Sequence, residues 1–306
     1  MSDIILHVVI AGGSGMIGMR LTELLLLQGF RVSHLGRKQK AQSTDTQQVP
    51  VYHWNPAELS IDPDAITDAD FVVNLAGESI AGKHWTTKRK QAILQSRLSS
   101  AKVLEQAINH SHNNVKAIIC ASAIGIYGDR RDPVNEDSKT GNGFLAATCK
   151  HWEKANSNYN VRTIILRFSN VLSTKGGVLS ELIKPLRFGM VPFFGGGSQM
   201  FSWIHIDDVC NMIIHCIHKE NLKGIYNAVA PQVVSQKYFM LKIKALKKVS
   251  AINITVPAWS LKLLLGEMSA IVLEGVNVSS EKIQQSLFAF QYPDINSALS
   301  DLLSNE

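Results

Sequence analysis

The residues that could do chemistry begin with a glycine-rich turn near the amino terminus. It reads Gly12-Gly13-Ser14-Gly15-Met16-Ile17-Gly18, with glycine at every third position. The first glycine permits a tight strand-to-helix turn, the second lets backbone approach a pyrophosphate, and the third lets a helix lie close to the strand. An apolar run precedes the turn, and the apolar face expected of a helix follows it. This context predicts a dinucleotide site with the phosphates at the helix N-terminus. Its contact residues are Gly12, Ser14, Gly15, Met16, Ile17 and Gly18.

The end of the second predicted strand indicates which dinucleotide binds. An NAD site has Asp or Glu about 20 residues beyond the glycines, where it accepts a hydrogen bond from the ribose 2′-OH. This chain has Leu35-Gly36-Arg37-Lys38 there. Arg37 can form a charge-assisted pair with a 2′-phosphate, which a carboxylate would repel. The sequence favours NADP over NAD, with Arg37 and Lys38 as contacts. The alternative is that both cations only solvate a loop.

Other polar or small residues follow later predicted strands. Leu75, Ala76 and Gly77 end an apolar strand, and their size would let a cofactor pass close. Ser122 and Tyr127 follow the next strand, and ligands collect at the carboxyl ends of strands in such sheets. We therefore consider both as catalytic candidates, against the alternative of a turn hydroxyl and a half-buried aromatic ring.

The elements that must position these residues alternate between strands and helices. Beyond the glycine turn, the patterns predict strands over 31–35, 51–54, 70–75, 115–120, 161–166 and 224–230, and helices over 85–107 and 144–159. This alternation predicts an α/β fold with a Rossmann-like, doubly wound parallel sheet. Another strand runs through His205, a satisfied inner residue, into a helix capped by Asp207 or Asp208.

Glycines and prolines divide the chain into two predicted units. Residues 1–172, completed by about 202–230, form the NADP-binding domain. Residues 173–201 and 231–306 form a smaller, helix-rich domain on the substrate side, with a strand near 252–256. The glycine-rich segment 173–201 is of the kind that covers sites.

Composition argues against several other classes of protein. The 306 residues carry a formal charge of +6, and the basic residues are scattered, so nucleic-acid binding is poorly supported. Cys120, Cys149, Cys210 and Cys216 form no C-x-x-C pair and are expected to be buried thiols. No run approaches a transmembrane span and no leader is evident, so we expect a cytoplasmic protein without a membrane partner or metal site.

These stretches together resemble the extended short-chain dehydrogenase/reductase superfamily, of the NAD-dependent epimerase/dehydratase type. Within it, the chain is similar to the group called "epimerase family protein", which has its own C-terminal domain. The shared motifs include the glycine turn, Asn74-Leu75-Ala76-Gly77-Glu78, Gln95-Ser96-Arg97, Ser122-Ala123-Ile124-Gly125-Ile126-Tyr127-Gly128, Trp152-Glu153 and, in the tail, Leu265-Gly266-Glu267-Met268 and Phe290-Gln291-Tyr292-Pro293. The resemblance implies an NADP-binding Rossmann domain and a C-terminal part that closes over a substrate cleft. It also implies that Asn170 lies near the nicotinamide and that Arg97, on a helix beneath it, belongs to the cofactor site.

The superfamily's proton-transfer pair is missing from the expected helix. A Tyr-x-x-x-Lys pair does this work in related enzymes, together with a Ser that steadies the substrate oxygen. Aligned on Glu153, the Tyr and Lys places hold Leu145 and Cys149; one residue earlier, they hold Phe144 and Thr148. Ser122 would remain as the polar site residue. Tyr127 could substitute as the acid and Glu78 as a carboxylate base, although Glu78 could equally cap a turn.

Two functions from different classes follow from these observations. The first is an NADP-dependent oxidoreductase or epimerase that acts on a small polar or nucleotide-linked substrate. The alternative is a non-catalytic NADP(H)-binding regulatory factor, since plastid relatives are linked to organelle division. A homodimer is expected only by analogy with the superfamily.

Overall fold

The computed structural model describes residues 5–37, 42–43 and 48–304, and an eight-stranded sheet forms its centre. The strands are β1 (His7–Ala11), β2 (Arg31–Gly36), β3 (Val51–Asn55), β4 (Ser60–Ile61), β5 (Phe71–Asn74), β6 (Ala117–Ala123), β7 (Arg162–Phe168) and β8 (Gly224–Ala228). Their spatial order is β8-β7-β6-β5-β1-β2-β3-β4. All neighbours are parallel except β3 and β4. The predicted α/β fold with a doubly wound parallel sheet is confirmed.

Helices cover both faces of this sheet. In chain order they are α1 (Met16–Leu27), α2 (Thr87–His110), α3 (Phe144–Ala155), α4 (Gly177–Ile183), α5 (Ile206–His218), α6 (Gln236–Leu246), α7 (Ala258–Leu265), α8 (Ala270–Leu273), α9 (Glu281–Gln285) and α10 (Ile295–Ser304). Helix α2 begins two residues later than predicted because the Thr86 hydroxyl caps it, accepting a hydrogen bond from the Arg89 amide at 3.2 Å. The predicted helix over 144–159 is shorter as well, and ends at Ala155.

The core follows the alternation of side chains along each strand. In β1, Val8 and Ile10 pack with α1 and α5, whereas Val9 and Ala11 pack with α2 on the other face. All four cysteines are buried and free, as expected from their apolar surroundings in the sequence.

A third apolar cluster lies beside the sheet and contains α4, α6 and α10. Short strand pairs lie in and around this region: 170–172 with 203–205, 190–194 with 252–256, 200–201 with 234–235, and 276–278 with 130–134. A further pair joins 42–43 to 48–49. The predicted boundaries of the two units stay a prediction. The tail does not pack only on the substrate side, since Ile283 of α9 lies in the core beneath the sheet.

The cap of α5 differs from the prediction. His205 precedes the helix in an extended conformation, and its Nδ1 accepts the Asp207 amide at 3.1 Å. Asp207 lies within the first turn and pairs with Arg20 at 2.6 Å. Asp208 accepts the backbone amides of the tail residues Gln291 and Tyr292. The expectation that an Asp caps this helix was therefore wrong, because both carboxylates already lie inside it, whereas His205 is buried as expected.

Candidate functional site

The glycine turn connects β1 to α1 where the strand order of the sheet reverses, between β1 and β5. Gly12 has a φ of +87°, and a Cβ there would lie 3.0 Å from the carbonyl carbon of Leu75. A Cβ at Gly18 would lie 2.7 Å from the Cα of Gly13. Only glycine fits either position, because the turn, the helix and the end of β5 are in close contact.

The N-terminus of α1 is open to an anion. Gly15 is its N-cap residue, makes no side-chain cap hydrogen bond, and is followed by a first turn without an acidic residue. Ser14 and Gly15 are exposed. The first amides of a helix have no partner within the helix and carry a partial positive charge. These free amides and the turn of residues 12–18 form a cradle that fits the pyrophosphate of a dinucleotide. Met16 and Ile17 begin the helix beneath this cradle.

The glycine-rich segment lies over the start of α1. Gly176 is the N-cap residue of α4 and Gly177 is its first residue, and a Cβ at Gly177 would lie 3.3 Å from the Met16 sulfur. Gly177 also has a φ of +74°, which favours glycine. Backbone from this segment therefore approaches one edge of the cradle.

The other predicted cofactor contacts lie at the ends of neighbouring strands. Ala76 directly follows the residue that packs on Gly12, and Gly77 comes next. Arg37 is exposed just after β2. Lys38, the second cation assigned to the 2′-phosphate, lies outside the described residues.

Two joined cavities lie beyond the carboxyl ends of β6 and β7. The inner cavity has a volume of about 250 Å³. The outer cavity, about 790 Å³, lies between the sheet domain and residues 258–275. Gly125, Leu145 and Glu274 line both cavities, so they mark where the two meet. The inner walls are mostly apolar and include Ala123, Leu145, Cys149, Trp152, Phe168 and Asn170.

The inner cavity lacks the proton-transfer pair of the superfamily. Leu145 and Cys149, the places given by alignment on Glu153, both line it one helical turn apart. Phe144 instead lines the outer cavity and contacts the Trp85 ring, with centroids 4.9 Å apart. Burial raises the pKa of the Cys149 thiol to about 11. Neither wall position can exchange a proton readily at neutral pH.

Ser122 does not face this cavity. Its side chain is buried, and its hydroxyl donates to Oε1 of Glu153 at 2.7 Å. Successive side chains of a strand point to opposite faces, so the neighbouring Ala123 lines the cavity instead. The expectation that Ser122 is a catalytic hydroxyl does not fit this geometry. The position at the cavity wall is held by the methyl group of Ala123.

Tyr127 is also turned away from the cavity. It is 1% exposed, and its hydroxyl donates to Oδ1 of Asn227 at 2.7 Å and accepts from Nη1 of Arg167 at 2.7 Å. Burial raises the pKa of this hydroxyl. Tyr127 therefore belongs to a buried network, which argues against its expected role as a substitute acid.

That network centres on a buried ion pair. Arg167 donates to both carboxylate oxygens of Glu153, each at 2.8 Å. Burial alone would lower the pKa of Arg167, but the hydrogen bonds and charge of Glu153 outweigh it and raise the pKa. The network fixes α3 to β7 and leaves no titratable group of its own at the cavity wall.

Glu78 lies outside both cavities. Its carboxylate accepts from Nη1 of Arg89 at 2.9 Å, and its backbone amide donates to the Ser96 hydroxyl at 3.0 Å. The proposed base is therefore engaged in a surface ion pair with α2. Neither cavity includes it among its lining residues.

Asn170 and Arg97 both reach the inner cavity, unlike the three catalytic candidates. The Asn170 side chain donates to the Ser202 carbonyl at 2.9 Å. Arg97 comes from α2, and its Cζ lies 4.8 Å from the centre of the Trp152 ring. A Cβ at Gly77 would lie 3.2 Å from the same Cζ, so the glycine leaves room for the guanidinium.

Sequence reasoning missed Ala123 and Glu274 as wall residues. The alternation of side chains along β6 could have identified Ala123, because it puts Ala123 on the opposite face from the buried Ser122. No signal in the sequence could have placed Glu274, which comes from the tail.

Among residues 5–37, 42–43 and 48–304 there is no group of three metal-ligating side chains. In the same part of the chain, no helix has both the length and the apolar character needed to cross a bilayer.

Comparison with known proteins identifies the family of this chain. Residues 8–228 match the NAD dependent epimerase/dehydratase family, and residues 256–302 match a domain of unknown function, DUF1731. The chain is 33% identical to the epimerase family protein YfhF of Bacillus subtilis over 98% of this chain and 99% of YfhF.

Solved structures show the same architecture. The crystal structure of human epimerase family protein SDR39U1 with NADPH matches at a TM-score of 0.87 and 27% identity, over 98% of this chain and all of that one. MoeE5 in complex with UDP-glucuronic acid and NAD matches at a TM-score of 0.76 over 97% and 98% of the two chains; at 18% identity this likeness shows the fold alone. The earlier resemblance is confirmed, and this chain belongs to the NAD dependent epimerase/dehydratase family, alongside the epimerase family proteins.

Proposed function

We propose that this chain is an NADP(H)-dependent oxidoreductase or epimerase that acts on a small substrate in the inner cavity. The observation that carries this proposal is the juxtaposition of two sites at one sheet edge. The uncapped N-terminus of α1 suits the dinucleotide, and a mostly apolar cavity lies beyond the carboxyl ends of the neighbouring strands. The structure of human SDR39U1 with NADPH supports the cofactor, since that fold is shared over nearly the whole chain.

The preference for NADP rests on the end of β2. Arg37 is exposed there and directly follows Gly36, in place of the acidic residue of an NAD site. Its planar guanidinium suits a 2′-phosphate. MoeE5, with the same fold, is seen with NAD, so the fold itself does not decide between the two dinucleotides.

The chain's own residues would bind and orient the cofactor. The turn of residues 12–18 would hold the pyrophosphate through helix amides, and Gly177 would help to shield that edge from water. When bound, the dinucleotide supplies or accepts a hydride. The apolar inner walls would exclude water from the reacting carbon. No proton donor comes from Ala123, Leu145 or Cys149, so a proton must reach the substrate by another route.

A second function is favoured by that same apolar wall. A protein that binds NADP(H) without turnover, as a redox-responsive regulatory factor, needs the glycine turn but no proton-transfer pair. This alternative predicts nucleotide binding and no substrate-dependent oxidation of NADPH.

Calorimetric titration with NADPH and NADH tests the cofactor assignment. A charge-assisted hydrogen bond contributes about 1.5–3 kcal/mol, so NADPH should bind about tenfold tighter or more, and Arg37→Ala should remove the difference. Arg31→Ala is the matched control, because Arg31 stands at the opposite end of β2. Equal affinities in the wild-type protein, or loss of the preference in the control, would contradict the proposal.

Turnover is measured separately by following NADPH oxidation with a panel of small carbonyl compounds. The oxidoreductase assignment predicts substrate-dependent oxidation that saturates. Tight NADPH binding without oxidation by any member of a broad panel would favour the regulatory function instead.

A further inference from the structure

Arg97 stands apart from the other arginines beside the sheet edge. Arg167 pairs with Glu153, Arg89 with Glu78, and Arg20 with Asp207. Within the described part of the chain, Arg97 forms no ion pair. Its Nη1 donates only to backbone carbonyls, those of Glu78 at 3.0 Å and Ile93 at 2.9 Å.

The surroundings of Arg97 make this lack of a carboxylate costly. One face of the guanidinium lies over the Trp152 ring, and the backbone of Gly77 approaches its Cζ. Burial lowers the pKa of Arg97, so the charged form is already disfavoured by its surroundings. A partly desolvated cation without a counter-ion is destabilising unless an anion binds to it.

Arg97 lines the inner cavity but not the outer one. None of the turn residues 12–18 lines the inner cavity, so the phosphate cradle and Arg97 open onto different spaces. This separation argues against the dinucleotide pyrophosphate as the partner of Arg97.

A second donor lies beside the guanidinium. Trp152 is only 6% exposed and lines the inner cavity, and its Nε1 has no hydrogen-bond partner among the described residues. A buried indole N–H normally finds an acceptor. An anion bound by Arg97 from within this cavity would supply acceptor oxygens next to the same ring.

The remaining charge in the inner cavity sets the direction of binding. Glu274 is the one acidic side chain that lines it in the described structure, and it lies where the two cavities meet. It would repel an anion at that junction. The anionic end of a ligand is therefore directed toward Arg97, and the apolar body toward Ala123 and Leu145.

We propose that the inner cavity binds a small, mainly apolar carboxylate, with Arg97 as the residue that recognises its carboxylate group. This inference rests on the proposed function and names the substrate class for the same cavity. Arg97, which the family resemblance places in the cofactor site, would then contact the substrate instead. Bidentate recognition by the planar guanidinium favours a carboxylate over a neutral amide of the same shape.

Paired probes test this directly. Benzoate and benzamide have nearly the same shape and differ in charge, and their binding is measured by calorimetry with saturating NADP⁺. We expect benzoate to bind about tenfold tighter or more. Arg97→Met should abolish that preference, and Arg97→Lys should keep part of it. Arg89→Met is the matched control, because Arg89 lies on the same helix outside both cavities and should leave the preference unchanged.

Titration of each variant with NADPH separates the two proposals. If NADPH binds to the wild-type protein but benzoate is not preferred over benzamide, the carboxylate assignment is wrong and the cofactor assignment stands. If Arg97→Met and Arg97→Lys weaken NADPH binding as much as benzoate binding, Arg97 serves the dinucleotide and the inference is overturned. If the wild-type protein binds neither dinucleotide, the proposed function itself fails.

Discussion

The two sides of the strand end at residues 122 and 123 differ sharply in polarity. On the face that carries Ser122, a buried hydrogen-bonded network joins the side chains of Ser122, Glu153, Arg167 and Tyr127. On the face that carries Ala123, this residue and its neighbours form the apolar wall of the inner cavity. The residue types that usually do chemistry are present, but they stabilise the packing of α3 on the sheet. Polar residues in a familiar motif are therefore evidence of catalysis only when their direction is known.

The largest expected effect comes from breaking the network at its ion pair. Glu153→Met leaves the buried Arg167 without a counter-charge, which should cost about 3–5 kcal/mol of unfolding free energy. Urea denaturation with linear extrapolation measures this loss. Glu181→Met is the matched control, since the Glu181–Lys184 pair is exposed and should contribute about 0.5 kcal/mol or less. A loss below about 1 kcal/mol for Glu153→Met would show that the network is not essential for stability.

A pair of neighbouring substitutions tests the assignment of the two faces. Ser122→Ala removes a hydrogen bond to a charged carboxylate and should cost about 1.5–3 kcal/mol. Ala123→Ser adds a hydroxyl to the cavity wall and should change stability by less than about 1 kcal/mol. The same denaturation assay compares them. The opposite order of the two losses would mean that the hydroxyl of Ser122, not the methyl of Ala123, faces the cavity.

Alkylation of Cys149 probes the apolar side. With its pKa raised by burial to about 11, the thiol at pH 8 holds far less thiolate than an ordinary cysteine with a pKa of about 8.5. The greater nucleophilicity of a more basic thiolate offsets only part of this difference. We expect iodoacetamide to react at least about tenfold more slowly than with glutathione, and the rate to rise as the pH approaches 11. Mass spectrometry locates the modified residue, and Cys149→Ser provides the blank. Labelling of Cys149 at the rate of glutathione would refute the apolar environment assigned to it.

Several features of this chain could be predicted from the sequence because they depend on local rules. The glycine spacing gives the turn, and the apolar periods give the strands and helices around it. The alternation of strands and helices along the chain predicts a parallel sheet, since only a few topologies are available to such a series. Arg37 at the end of β2 is a local observation of the same kind.

The candidate catalytic residues could not be assigned in this way. Adjacent residues of a strand point to opposite faces of the sheet. Proximity in sequence therefore could not show whether Ser122 or Ala123 faces the cavity. Glu78 illustrates a second limit, because its partner Arg89 lies eleven positions away and comes close only through the start of α2. Likewise, the cap of α5 depends on the backbone direction at His205, which the residue types of Asp207 and Asp208 do not reveal.

The fold class, the glycine turn and the absence of the Tyr-x-x-x-Lys pair follow from the sequence alone, because each depends on residue type at short spacing. Only the tertiary structure decided that Ser122, Glu153 and Tyr127 form one buried network. Only it could bring Glu274 from the tail to the cavity shared with Leu145. The same packing left Arg97 without a carboxylate in the described chain, because Glu78 pairs with Arg89, Glu153 pairs with Arg167, and Glu274 lies where the two cavities meet. Which charged side chains come to lie beside each other is a property of the packed molecule.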